Sequence, residues 1–315
     1  MRIVAAGLVV SASALLTSAQ EPTRITSAST VRLRATPADS AVVVATLLLG
    51  TDLFQLDTGG EGATWTRVRT TRGQDGWLSA RLTRSLTAAR LEVIEAIVRE
   101  RLARQGDGFA PRTELVDFVE RAQKDAQDPE VAGRFALYWV QATSSALDAV
   151  PVPRRTRGRQ PPYRDWLAPR ADTIVYNEPG GRWMIRPNHL WKLQDEHARS
   201  SSADELAWRA VQNGLPGECE GFIPCYLRRL NLLEGEYLRR SAMGKHVDEA
   251  VASAADASTL WSVPVVKPFF FDSAKDCAEL VQSLDPFRAA LAATRADGLQ
   301  ALLGRFDRLR GMCQK

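Results

Sequence analysis

The apolar residues of this chain change their repeat near Leu86, and that change constrains the fold more than any other feature. Upstream, short runs with apolar residues at alternate positions are cut by turns, the period of half-buried strands. Thr30-Val31-Arg32-Leu33-Arg34 alternates, Pro37 to Ser40 reads as a turn, and Val42 to Leu49 is an apolar run closed by Gly50-Thr51. Leu53 to Leu56 reads as another strand, and Asp57 to Gly62 as a loop. Trp65-Thr66-Arg67-Val68-Arg69 places Trp65, Arg67 and Arg69 on one face, and Arg72 to Gly76 turns the chain into Trp77-Leu78. Downstream the spacing becomes helical, as in Leu91, Ile94, Val98 and Leu102. The expected fold is multidomain, with a small all-β barrel over 24–86 followed by a mainly α-helical part.

Three helices are expected between 87 and 148, the third opened by Asp128-Pro129, an N-cap with proline at the first helical position. Residues 149–170 carry Pro151, Pro153, Pro161 and Pro162 with Arg154, Arg155, Arg157 and Arg159. They read as a semi-rigid basic linker, either a solvated loop or a contact for an anionic polymer or lipid surface. Residues 171–315 form a second, mainly helical stretch. It contains one β-hairpin, around Asn177-Glu178-Pro179-Gly180-Gly181 between Thr173–Tyr176 and Trp183–Arg186. Tyr226, Leu230, Leu233 and Tyr237 form one helical face. Asp272 caps a helix through Leu284, and Asp285-Pro286 starts another.

Val31-Arg32-Leu33-Arg34-Ala35-Thr36-Pro37, Leu47-Leu48-Leu49-Gly50, Trp65-Thr66-Arg67-Val68 and Gly76-Trp77-Leu78-Ser79 follow one another in the order and spacing of the bacterial SH3 (SH3b) domains, which this segment resembles. Leu33 stands where that family usually carries a small polar residue. The resemblance covers about a fifth of the chain. It implies an SH3-like barrel, a place on an exported protein, and recognition of a peptide or wall polymer, with no catalytic residue to carry over. Trp65 and Trp77 are the candidate ligand-binding aromatics, although an aromatic in such a barrel more often fills the core. Separately, Glu236-Tyr237-Leu238 and Gly244-Lys245-His246-Val247-Asp248-Glu249-Ala250 resemble one tetratricopeptide-like hairpin, without a second clean copy.

Arg2, the uncharged apolar run Ile3 to Leu16 and the small residues Thr17-Ser18-Ala19 make the three-part pattern of a signal peptide over 1–19. The competing reading is a buried N-terminal helix. Loss of Arg2 leaves 40 basic against 37 acidic residues, a net of +3, too small an excess to argue for nucleic acid. No stretch is apolar for long enough to span a membrane. The expected location is periplasmic or extracellular. The four cysteines, Cys219, Cys225, Cys277 and Cys313, allow three disulfide pairings. Cys219–Cys225 is favoured across a loop rich in Gly and Pro, and Cys277–Cys313 across a helical stretch able to fold back on itself.

Motifs for chemistry are lacking. There is no G-x-S-x-G, no Walker loop, no dinucleotide fingerprint and no zinc spacing, so no metal or cofactor is expected. His189 and His197 lie about two turns apart, too far to share a metal without other ligands. Glu218 and Glu220 beside Cys219 are the best catalytic carboxylates on offer. The expectation is a non-enzymatic exported envelope binding or scaffold protein, with peptidoglycan, a peptide or an envelope protein as partner. Its ligand contacts would be Trp65, Trp77, Arg154, Arg155, Arg157 and Arg159. The rival is a cell-wall hydrolase with unassigned catalytic carboxylates.

Overall fold

The computed structural model describes residues 21–57, 63–86, 89–151, 160–259 and 274–313. The segment 1–19 expected to be a signal peptide, Arg154, Arg155, Arg157 and Arg159, and the expected Asp272 cap lie outside the described residues. The chain divides into two compact units, 1–93 and 94–315.

The first unit is one antiparallel sheet of seven strands: β1 (Arg24–Thr26), β2 (Val31–Arg34), β3 (Val43–Leu47), β4 (Asp52–Gln55), β5 (Trp65–Thr70), β6 (Asp75–Ser79) and β7 (Thr83–Ser85). Their order across the sheet is β3-β2-β6-β5-β4-β1-β7. The alternation read from the sequence sets the inner face: Val31, Leu33, Leu47, Leu53, Val68 and Leu78 pack together as its core. The unusual Leu33 is fully buried there. Gly76 is required by this packing. A Cβ at that position would meet Leu33 Cγ at 2.7 Å and the Arg34 carbonyl at 2.8 Å, so only a glycine lets β6 run so close to β2.

The helices begin with α1 (Arg90–Leu102), whose first residues fall in the first unit, and α2 (Phe109–Asp125) and α3 (Pro129–Asp148) follow in the second. Asp128 caps α3 by accepting the Val131 N–H at 3.0 Å. Part of the proline- and arginine-rich segment is folded, which narrows the expected linker. Residues Tyr163–Leu167 form α4, with Trp166 and Leu167 buried. The reason is aromatic: Phe109 makes edge contacts with Tyr163 and Trp166, centroids 4.7 and 5.7 Å away. The hairpin follows as β8 (Ile174–Asn177) and β9 (Arg182–Ile185). Beyond it come α5 (Pro187–Glu196), α6 (Ala203–Asn213), α7 (Ile223–Leu232), α8 (Glu234–Arg240), α9 (Val247–Thr259), α10 (Ala274–Ala292) and α11 (Leu299–Met312).

Two expectations about these helices fail. The face Tyr226–Tyr237 is interrupted at Leu233, whose φ of −110° and ψ of −84° break α7 from α8. Arg239 satisfies the end of α7 by donating to the Asn231 carbonyl at 2.8 Å and to its side chain at 2.9 Å. Pro286 does not start a helix but lies inside α10. An interior proline costs about 3 kcal/mol. The continuous helix buries both Leu284 before it and Phe287 after it, with Phe287 against Phe306 at 5.5 Å, and this burial offsets the cost. Cys219 is bonded to Cys225 and Cys277 to Cys313, with Cα separations of 5.5 and 5.4 Å.

Candidate functional site

Strand phase decides which face each tryptophan takes. In β5, Thr66, Val68 and Thr70 are buried, so Trp65, Arg67 and Arg69 point outward. In β6, Gly76 and Leu78 are buried, so Asp75, Trp77 and Ser79 point outward. The tendency of such aromatics to fill the core does not hold here: Trp65 and Trp77 are both half-buried on the outer face. Across β2, β6 and β5 the register aligns Arg34 with Trp77 and Trp77 with Arg67. The adjacent rows pair Trp65 with Ser79, and Arg69 with Asp75. Arg69 closes on Asp75 through two bonds of 2.6 and 2.9 Å and holds its carboxyl below the usual range.

A cavity of about 500 Å³ opens beside Trp65, lined also by Arg32, Arg34, Asp39, Ser79 and Arg81. Trp77 does not line it. Three arginines and one aspartate thus line it. Arg34 is held in place by donating to the Ala41 carbonyl at 2.8 Å. Thr30, which also lines the cavity, has φ of +55°, a left-handed conformation that costs a β-branched residue on the order of 1–3 kcal/mol. The outward direction of Arg32 and Arg34 was legible from their alternation with Val31 and Leu33. Arg81 was not, because it sits on the 3₁₀ turn Ala80–Leu82 and reaches the cavity only through the turn's geometry.

A second cavity, in the helical unit, is lined by Glu120, Trp139, Arg170, Asp172 and His189. Glu120 accepts from Trp139 Nε1 at 3.0 Å and from Arg170 at 3.4 Å. Arg170 also donates to Asp117 at 2.7 Å, while burial pushes the Asp117 carboxyl up. His189 packs edge-on to Trp139, centroids 5.2 Å apart, and burial holds its pKa down. These groups are turned toward one another, as a structural network is. Glu218 and Glu220 are exposed on the cysteine loop. Among the described residues no three His, Cys, Asp or Glu side chains converge as a metal site, and no helix is long and apolar enough to cross a membrane.

The chain matches no protein-family model, no curated protein and no solved structure.

Proposed function

We propose that this chain is a non-enzymatic, exported protein of the bacterial cell envelope that binds a peptide or wall polymer through the outer face of its N-terminal sheet. One observation carries the reading: Trp65 stands on the outer face of β5, in a cavity lined by three arginines and one aspartate. An aromatic ring beside unsaturated cationic donors is a recognition surface, with area from the ring and orientation from the charges. The motif order from Val31-Arg32 to Gly76-Trp77 supports an SH3b-like barrel, and seven antiparallel strands suit it. The leader-like segment 1–19 and the two disulfides support export. In this reading the helical unit is a separate contact surface, and Arg154, Arg155, Arg157 and Arg159 add electrostatic attraction to an anionic polymer.

The deciding experiment is retention of the purified mature protein on peptidoglycan sacculi, followed by analysis of the supernatant for soluble muropeptides. Retention without release is expected. Changing the four arginines to glutamine should weaken retention and flatten its salt dependence. Release of muropeptides would establish the rival hydrolase instead.

A further inference from the structure

We infer that the cavity beside Trp65 takes a peptide by a free carboxylate, seated between Arg32 and Arg81; this rests on the binding reading above and specifies its ligand. Arg32 and Arg81 are both exposed, and the side chain of neither has an ion-pair or hydrogen-bond partner among the described residues. Among the other arginines of this unit, Arg69 pairs with Asp75, Arg90 with Asp52, and Arg34 donates to the Ala41 carbonyl. Two guanidinium forks lining one cavity can each pair with an oxygen of a carboxylate. Arg34, fixed by its own bond, adds positive potential without having to move.

The rest of the lining argues for a peptide over a phosphate polymer. Asp39 is the cavity's one acidic residue, and it suits an amide N–H or an ammonium placed beside the carboxylate. A phosphodiester chain repeats a negative charge along its length, and Asp39 would face it as a like charge. Trp65 and Leu82 supply an apolar wall for a small side chain, and Thr64 and Ser79 supply hydroxyls. A volume of about 500 Å³ falls within the range of small-ligand sites and fits a short peptide end.

The test is calorimetric titration of the full mature chain with N-acetyl-Ala-Ala, with the same dipeptide as its C-terminal amide, and with inorganic phosphate. The free acid should bind at least tenfold more tightly than the amide. The double change Arg32→Gln, Arg81→Gln should reduce the acid to the level of the amide, whereas Arg72→Gln, in the β5–β6 turn at the far end of these strands from Trp65, should leave the difference intact. Both cavity arginines are exposed, so an unchanged melting temperature will show that the double variant is folded. Equal binding of acid and amide, binding of neither, or phosphate binding more tightly than the acid would each overturn the inference. Retention on sacculi without discrimination between acid and amide would sink the carboxylate site alone. Discrimination without retention would sink the envelope reading alone.

Discussion

The ring of His246 lies parallel to that of Trp208, with centroids 5.0 Å apart and 6° between the planes. In that position its Nε2 is 3.0 Å from Glu205 of α6, and its Nδ1 is 3.2 Å from Glu249 of α9. The imidazole joins two helices through two carboxylates, and both contacts are strongest when it is charged.

The pH dependence of this junction follows. Burial opposes the charge, but the bonds to Glu205 and Glu249 outweigh it, and the folded pKa lies above the ordinary histidine value. A raised pKa stabilises the fold fully below the unfolded value of about 6.5 and loses that contribution as pH rises through the folded pKa. Thermal melting should therefore fall between about pH 6 and the alkaline side of that folded value. In His246→Gln the fall over the same window should be smaller. Parallel melting curves for the two proteins across it would refute the junction.

Tyr237 completes the cluster. Its hydroxyl donates to Asp204 at 2.9 Å and accepts the backbone N–H of His246 at 3.0 Å, and burial is the main reason its pKa is raised. Tyr237→Phe should cost about 1–3 kcal/mol, because a buried donor and acceptor lose their partner. Gly244→Ala should cost more, since its Cβ would lie 2.1 Å from Asp204 Oδ1 and 2.3 Å from the Tyr237 hydroxyl. Urea denaturation ranks the two, and a milder effect at Gly244 would contradict this packing.

The two disulfides should contribute unequally. Cys277–Cys313 closes a separation of 36 residues, from the first turn of α10 to the end of α11, whereas Cys219–Cys225 closes only 6. In the chain-entropy account the longer loop contributes about 1.5 kcal/mol more. Paired Cys→Ser variants compared by guanidinium denaturation should show the larger loss for Cys277 and Cys313.

Glu234 is a buried carboxyl. Its Oε1 accepts from Ser253 at 2.6 Å, its Oε2 has no partner, and burial pushes its pKa up. A carboxyl with a raised folded pKa favours folding at low pH and loses that advantage as pH rises through the folded value. Glu234→Gln should leave stability at pH 7 unchanged or raise it by about 1 kcal/mol, and flatten its decline above pH 5. A loss of more than about 2 kcal/mol at pH 7 would show that the charged form is needed there.

Several elements were legible because their causes are local. The cap at Asp128, the turn at Pro179-Gly180-Gly181 and the spacing of the α1–α3 apolar residues depend on neighbours a few positions away. Pro286 was misread for the same reason: its local signal is a helix start, and burial of Phe287 against Phe306, contributed by another helix, overrides it. Trp65 was legible in part. Its alternation with Thr66 and Val68 placed it with Arg67 and Arg69, but which of the two faces is buried is a property of the assembled sheet.

Sequence alone determined the change from strand to helix near Leu86, the identity of the inward residues Val31 and Leu33, and the charges that alternate with them. Periodicity carries that information because side-chain direction repeats with the backbone's own geometry. The meeting of Arg32 and Arg81 at Trp65 was decided only by tertiary structure. It requires β2 and β5 to flank β6 and the turn Ala80–Leu82 to bring Arg81 to the same cavity, an arrangement set by strand order and packing between residues distant in the chain.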